Sequence, residues 1–407
     1  MKNLLYLVHR LPYPPNKGDK ISSFNLLRYF ASRYRVFLGA FVDDPEDRQY
    51  LDKVRAYCAD ACFVDLNPRT AKIASLRGLL SGEALTLAYY RNPQLKAWVD
   101  RVFADSPPDA VLMYSGAVGQ YIERGRAPDA PSVFIMEDID SDKWRSYAAT
   151  KPWPLSWLYA RESRRLLAFE RAKAGQFDIS LFISPEESRL FQEMAPEVAA
   201  KVSYRGQGVD SDFHDPALEL DNPYSPDSKP LVFCGAMDYW PNVDAVTWYV
   251  EEVLPRVREQ FPDVLFCIVG MNPTERVRRL GKQPNVRVTG PVPDVRPYVR
   301  HAYATVLPLR IARGIQNKAL EAMSMETPVI ATPDALNGII VCPEFKPHIC
   351  RDVDELLGAT LARLGQEGGR DPGGRACVLR HYNWDATLQR IARMLESGRI
   401  PKGDSTQ

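Results

Sequence analysis

The stretch Arg310-Ile311-Ala312-Arg313-Gly314-Ile315-Gln316-Asn317-Lys318-Ala319-Leu320-Glu321-Ala322-Met323 follows an apolar run, Ala304 to Leu309, that reads as a buried strand. Its own second half has helical character. A strand, a glycine turn and a helix with no acidic residue in its first turn make an anion site, because free backbone amides and the positive end of the helix dipole converge there. Arg310, Arg313 and Lys318 add side-chain cations, and Glu321, near one turn past Lys318, can accept hydrogen bonds from hydroxyls. Phosphate together with sugar hydroxyls is the signature of a nucleotide-diphosphate sugar. The plainer alternative is an ordinary strand, turn and helix with solvated basic residues.

Working outward, short β-branched or aromatic runs alternate with amphipathic stretches along the chain. Strands are expected at Leu4–Val8, Val36–Val42, Cys62–Asp65, Ala110–Met113, Val133–Met136, Ile179–Ile183 and Val202–Tyr204, then at Leu231–Cys234, Leu265–Val269, Val286–Val288, Thr305–Leu309 and Val329–Ala331. Helical periodicity fills most of the gaps, as in Ile21–Ser32, Trp157–Lys173, Asp244–Gln260 and Val353–Leu364. Alternating strands and helices imply an α/β chain of two Rossmann-like, doubly wound domains facing a cleft. A stretch rich in Asp, Pro and Ser without periodicity marks the boundary. The expected division is a first domain over 1–212, a linker over 213–229, a second domain over 230–383, a helix over 384–401 that packs back on the first domain, and a tail over 402–407.

A chain of 407 residues suits two domains of roughly 200 residues each. Charged residues at 25% and a net charge of +1 fit a globular protein and argue against a general nucleic-acid binder. The apolar run Leu4 to Val8 is too short for a signal peptide and reads as a first strand. The seven cysteines are scattered without a framework, and Cys58 and Cys62 lack the partners of a zinc site, so a reduced, cytoplasmic protein is expected.

Further motifs fall at strand ends, where open α/β sheets bind ligands. Gly235-Ala236-Met237-Asp238-Tyr239-Trp240-Pro241-Asn242 turns from a strand into a helix, and it is not the Gly-x-Gly-x-x-Gly fingerprint of a dinucleotide site. Gly270 and Gly290 end the next two strands, a pattern that suits backbone approach to one ligand as well as ordinary strand termination. Pro12 to Lys20 links the first strand to the first helix; Asn16, Lys17, Gly18 and Asp19 can face phosphates or an acceptor, or form a plain surface turn. Glu137-Asp138-Ile139-Asp140-Ser141-Asp142-Lys143 is an acidic cluster that can bind sugar hydroxyls or supply a base, or simply suit a helix N-terminus. An Asp-x-Asp metal site is not expected in this setting. Trp153, Trp157, Leu158 and Tyr159 stand near Arg161, Arg164, Arg165, Arg171 and Lys173, which suits contact with anionic headgroups or a helix whose arginines pair with Glu162 and Glu170.

These residues together resemble the family 4 glycosyltransferases of GT-B fold, through Gly208-Val209-Asp210, Gly235, Val269-Gly270, Gly290, Leu320-Glu321-Ala322-Met323 and Pro328-Val329-Ile330-Ala331 in order. Four longer strings resemble the subgroup of sugar transferases associated with PEP-CTERM/exosortase exopolysaccharide clusters: Tyr13 to Lys20, Asp140 to Trp144, Gly235 to Ala245 and Arg310 to Lys318. The resemblance implies a nucleotide-sugar donor held by the second domain, through Gly235, Ala236, Gly270, Val292, Arg310, Gly314, Ile315, Gln316, Asn317 and Glu321, with UDP favoured over GDP. It implies an acceptor glycan or lipid-linked sugar held by the first domain, through Asn16, Lys17, Gly18, Asp19 and Lys143. Transfer with retention, no metal and no cofactor, and exopolysaccharide assembly at the inner face of the cytoplasmic membrane are also implied. Glu321 matches the second glutamate of the family's Glu-x7-Glu motif, which binds the ribose; Arg313 replaces the first. Diphosphate charge then falls to Arg310, Arg313, Lys318, Lys17 or Lys20, with Arg313, Lys318, Asp138 and Asp140 the catalytic candidates. Were the reaction inverting, Asp19, Asp138 or Asp140 would be the base. The rival readings are a non-catalytic nucleotide-sugar or glycan-binding protein and a sugar-nucleotide 2-epimerase of the same fold.

Overall fold

A computed structural model of the chain describes residues 1–123, 129–312, 314–366 and 369–401. The N-terminal unit comprises Met1–Gly206 and the residues from Asp385 onward; the C-terminal unit is Gln207–Trp384. The expected tail, 402–407, lies outside the described residues.

The N-terminal unit is built on β1 (Lys2–Val8), β2 (Tyr34–Val42), β3 (Asp60–Asp65), β4 (Ala110–Tyr114), β5 (Ser132–Glu137), β6 (Ile179–Phe182) and β7 (Val202–Tyr204). All pairings are parallel, in the order β3-β2-β1-β4-β5-β6-β7. The strands are buried almost throughout, as sheets covered by helices on both faces require. The strand order reverses between β1 and β4, where Val8 pairs with Tyr114. The residues that leave this end, His9-Arg10 and Ser115, stand at the topological switch point.

The C-terminal unit repeats the plan with β8 (Lys229–Cys234), β9 (Val264–Val269), β10 (Val286–Gly290), β11 (Ala304–Leu307), β12 (Val329–Ala331) and β13 (His348–Ile349). The parallel order is β10-β9-β8-β11-β12-β13, and the switch point lies between β8 and β11. The loops after these two strands carry Gly235 and residues 308–312 and 314–316. Residues 207–228 are anchored on this unit: buried Tyr224 donates to Tyr298 O at 2.8 Å, and Ser324 Oγ donates to His214 O at 2.8 Å.

Two local findings differ from the sequence expectations. The helix expected over 244–260 begins at Trp240 and passes through a π turn, Tyr249–Val253, before Leu254–Gln260. Pro255 explains the turn, since its ring cannot donate a backbone bond and would clash with an α-helical carbonyl four residues back. Cys342 and Cys377 form a disulfide, which corrects the expectation of unpaired thiols; 35 residues separate them, and only the fold brings their Cα atoms to 5.9 Å. The Trp384–Ser397 helix belongs to the N-terminal unit from Asp385 on, and there Arg390 donates to Tyr204 O at 2.5 Å and Ser203 Oγ at 3.2 Å.

Candidate functional site

In the C-terminal unit, backbone geometry first draws the strand ends together. The Gly235 amide donates to Val269 O at 3.0 Å, and the Gly270 amide to Gly290 O at 3.3 Å. Gly270 has φ 152°, and a Cβ there would lie 1.7 Å from Gly235 O, so no other residue fits. Beside them the Asn317–Ser324 helix begins at Gln316, whose side chain makes no capping hydrogen bond, and its first turn holds no acidic residue. Within the turn the Ala319 amide donates to Gln316 O at 2.9 Å, and the orphan amides of a helix start are those that precede it.

Lys318 is the cation at this point. Its Nζ donates to Asn242 Oδ1 at 2.6 Å and lies 4.5 Å from the centre of the Phe233 ring. Asn242 in turn donates to Ala236 O at 2.9 Å, which ties the loop after β8 to the helix. A Cβ on Gly235 would come within 2.7 Å of Asn242 Nδ2 and 3.2 Å of Lys318 Nζ, so the glycine keeps the ammonium approachable. Burial lowers the Lys318 pKa to about 8, and nearby Cys234 and Glu321 oppose the shift. Burial also pushes the Cys234 thiol far up. An ammonium at a helix start beside the glycines of two strand ends suits a phosphate.

The other donor-binding candidates fall around it. Gly314 adopts φ 63°, the left-handed turn that glycine permits, and accepts from Gln316 Nε2 at 3.2 Å. Asn317 Oδ1 receives Gln207 Nε2 at 2.7 Å. Val292 and Ile315 pack, partly buried, on the core of the unit. Glu321 is partly buried near Lys318. Arg310 is directed elsewhere: its guanidinium is held by Asp244 at 2.6 and 3.0 Å and stands 5.0 Å from the Trp248 ring centre. Arg313 lies outside the described residues.

In the N-terminal unit a cavity of about 700 Å³ opens at the β1–β4 switch point. His9, Arg10, Asp19, Ser115, Asp140 and Lys143 supply its polar lining, and Tyr89, Tyr90, Trp144, Tyr147 and Tyr159 its aromatic walls. Asp19 contacts His9 Nε2 at 3.2 Å and Arg10 Nη1 at 2.7 Å. Burial opposes ionisation of Asp19, but the His9 hydrogen bond and the charges of His9 and Arg10 prevail and hold its pKa far below the usual carboxylate range. Asp140 goes the other way: burial raises its pKa against the charges of Lys143 and His9. Asp138 is open to solvent in part, yet crowding by protein and then by Glu187, Glu137 and Asp140 raises it to about 7.

The sequence candidates thus divide. Asp19, Asp140 and Lys143 line one cavity; Asn16, Lys17, Gly18 and Asp138 are not among its lining residues. Lys20 is spent, because it is buried and bonds Asp47 at 2.5 Å. Arg171 pairs with Glu197, while Glu162 and Glu170 accept from Leu85, Thr86 and Ser141 rather than from arginines. Sequence reading passed over His9 and Ser115, and it did not foresee the backbone conformation of Glu137. Ser115 at φ 84° and Glu137 at φ 69° are left-handed non-glycine residues at the ends of β4 and β5, a strain that must be over-determined by its surroundings. For Glu137 that support is Arg205, fully buried and bidentate at 2.7 Å to both oxygens. Position at a strand end was the available signal for His9. Among the described residues the one cluster with metal-ligating spacing is Cys342, Cys377 and His381, of which the cysteines are disulfide-bonded.

Residues 228–359 match the family described as Glycosyl transferases group 1. No curated protein matches the chain. Among solved structures, HepE of Anabaena in complex with UDP and glucose aligns with a TM-score of 0.63 at 14% identity, over 98% of this chain and 100% of that one. Sucrose-phosphate synthase from Thermosynechococcus elongatus aligns with a TM-score of 0.67 at 17% identity, over 97% and 98%. A glycosyltransferase from Rickettsia africae aligns with a TM-score of 0.64 at 13% identity, over 98% of both. These likenesses establish the two-sheet GT-B fold, and together with the match over 228–359 they support a glycosyltransferase.

Proposed function

We propose that this chain is a family 4 transferase of the PEP-CTERM-associated subgroup, which moves a sugar from a nucleotide-diphosphate sugar, by preference a UDP-sugar, to a hydroxyl of a glycan or lipid-linked sugar in exopolysaccharide assembly. The carrying observation is the Asn317–Ser324 helix, which places its N-terminus, free of acidic residues, and Lys318 at the β8–β11 switch point. The complex of HepE with UDP and glucose supports the donor class. We place the protein at the inner face of the cytoplasmic membrane.

In this reading the bond from the sugar's anomeric carbon to the diphosphate oxygen breaks as negative charge grows on the leaving group. Lys318 and the helix amides stabilise that charge most when it is largest, which is the condition for catalysis. With retention, the acceptor oxygen bonds the same face and the departing phosphate takes the hydroxyl proton, so no side-chain base is needed. Asp19, Asp140, His9 and the aromatic walls hold the acceptor sugar. Lysine and amides supply the positive charge, so turnover should persist in EDTA. Calorimetric titration with UDP, GDP and uridine tests the core of the proposal: UDP should bind well and uridine weakly, and binding of neither diphosphate would overturn it.

A further inference from the structure

Apart from Met1, every exposed large apolar side chain among the described residues of the N-terminal unit lies on two segments. One runs through the short helices Pro68–Ser75 and Arg77–Ser81 and exposes Ile73 at 71%, Leu80 at 93%, Leu79, and Leu76 between the helices. The other is the turn into the Leu155–Gln176 helix, which exposes Trp153 at 80%, Leu155 and Trp157. The segments adjoin: Arg161 Nη2 donates to Gly78 O at 2.8 Å, and Glu162 accepts the amides of Leu85 and Thr86 at 2.7 and 2.8 Å. They form one apolar ridge, and ridges of this kind mark interaction surfaces.

Charge identifies the partner. Residues 68–81 contain Arg69, Lys72 and Arg77, all exposed, and no acidic residue. Residues 151–165 expose Lys151, Arg164 and Arg165, and their one acidic side chain, Glu162, is buried. The whole chain carries only +1, so positive charge is concentrated around the ridge. Tryptophan and leucine side chains rimmed by lysine and arginine fit an anionic bilayer surface, where the apolar groups enter the headgroup boundary and the cations meet phosphates. Among the described residues no helix is long and apolar enough to cross a membrane.

We infer that this ridge docks the protein on an anionic lipid bilayer. The inference deepens the membrane placement proposed above and rests on it. The same helices line the acceptor cavity, through Lys72 and Ser75 on one side and Leu158 and Tyr159 on the other. An acceptor sugar carried on a lipid is thereby delivered to the cavity mouth by the surface that docks.

Cosedimentation of the full chain with vesicles tests this directly. Vesicles of phosphatidylcholine with about one third phosphatidylglycerol should bind the protein, phosphatidylcholine alone should not, and salt should weaken the binding. Leu80→Glu with Trp153→Glu should cut partitioning by about tenfold or more, and Arg164→Glu with Arg165→Glu should do the same at low salt. Each variant should retain the wild-type affinity for UDP, which reports an intact fold and separates this inference from the transferase proposal. Vesicle binding unchanged in both double variants overturns the inference. So does an absence of vesicle binding accompanied by self-association that Leu80→Glu abolishes, which would assign the ridge to a second copy of the chain.

Discussion

Lys318 Nζ donates to Asn242 Oδ1 across 2.6 Å, joining the first turn of one helix to the first turn of another 76 residues earlier in the chain. Both helices leave the β8–β11 switch point, so the bond fixes the ammonium between the two helix starts.

From this bond follows the first prediction. Lys318→Met should weaken UDP binding by about 1.5–3 kcal/mol, the range of a charge-assisted hydrogen bond, with little effect on uridine. The wild-type ammonium has its pKa lowered to about 8, so UDP affinity should fall as pH rises through and above that value, while the variant stays flat. A bound diphosphate raises the pKa and moves the midpoint upward. Calorimetry across pH 6.5 to about 9.5 measures both effects; equal losses for UDP and uridine would refute the phosphate role.

Glu321, one helical turn past Lys318, should accept the ribose hydroxyls. Glu321→Ala should weaken UDP by about 1–3 kcal/mol without lowering the melting temperature, since the side chain is only partly buried. Comparing UDP with 2′-deoxy-UDP checks the assignment: the alanine variant should no longer distinguish them, and undiminished discrimination would remove Glu321 from the ribose.

The glycines at the strand ends should separate by geometry. Gly270→Ala forces a Cβ to within 1.7 Å of Gly235 O at φ 152°, and should prevent the C-terminal unit from folding. Gly290→Ala meets no atom within 4 Å and carries only the left-handed strain of φ 69°, about 1–2 kcal/mol. Soluble expression and thermal melting decide; equal tolerance of both changes would mean that Gly270 is not constrained by its neighbour.

The fold was legible because parallel strands buried on both faces are continuous apolar runs, and each of the twelve expected runs overlaps one of β1 to β12. β13 escaped notice because His348–Ile349 is two exposed residues paired only to an edge. The placement of Gly235, Gly270, Gly314 and Lys318 beside strand and helix ends was legible through chain order. Partners distant in sequence were not: nothing in spacing tells that Asn242 meets Lys318, that His9 meets Asp19, or that Cys342 meets Cys377. Lys20 shows the converse, a cation in a suggestive motif that an unforeseen partner, Asp47, takes out of play.

In the N-terminal unit, Glu170 is buried and accepts the Ser141 amide at 3.1 Å and the Ser141 hydroxyl at 2.5 Å. Burial, with Asp140 adding to it, raises its pKa to about 8, although the bonds from Ser141 work the other way. A carboxyl raised in the folded state holds its proton longer than in the unfolded chain, whose value is 4.5. Its stabilising contribution is therefore complete below 4.5 and is lost as pH rises to about 8. Asp138, raised to about 7, adds to the same trend. The wild-type melting temperature should accordingly fall between pH 5 and about 8.5. Glu170→Gln keeps an acceptor for Ser141 and cannot ionise, so its melting temperature should fall less, a difference of up to a few kcal/mol in stability. Parallel melting curves for the two proteins over that range would show that Glu170 ionises as freely in the fold as outside it.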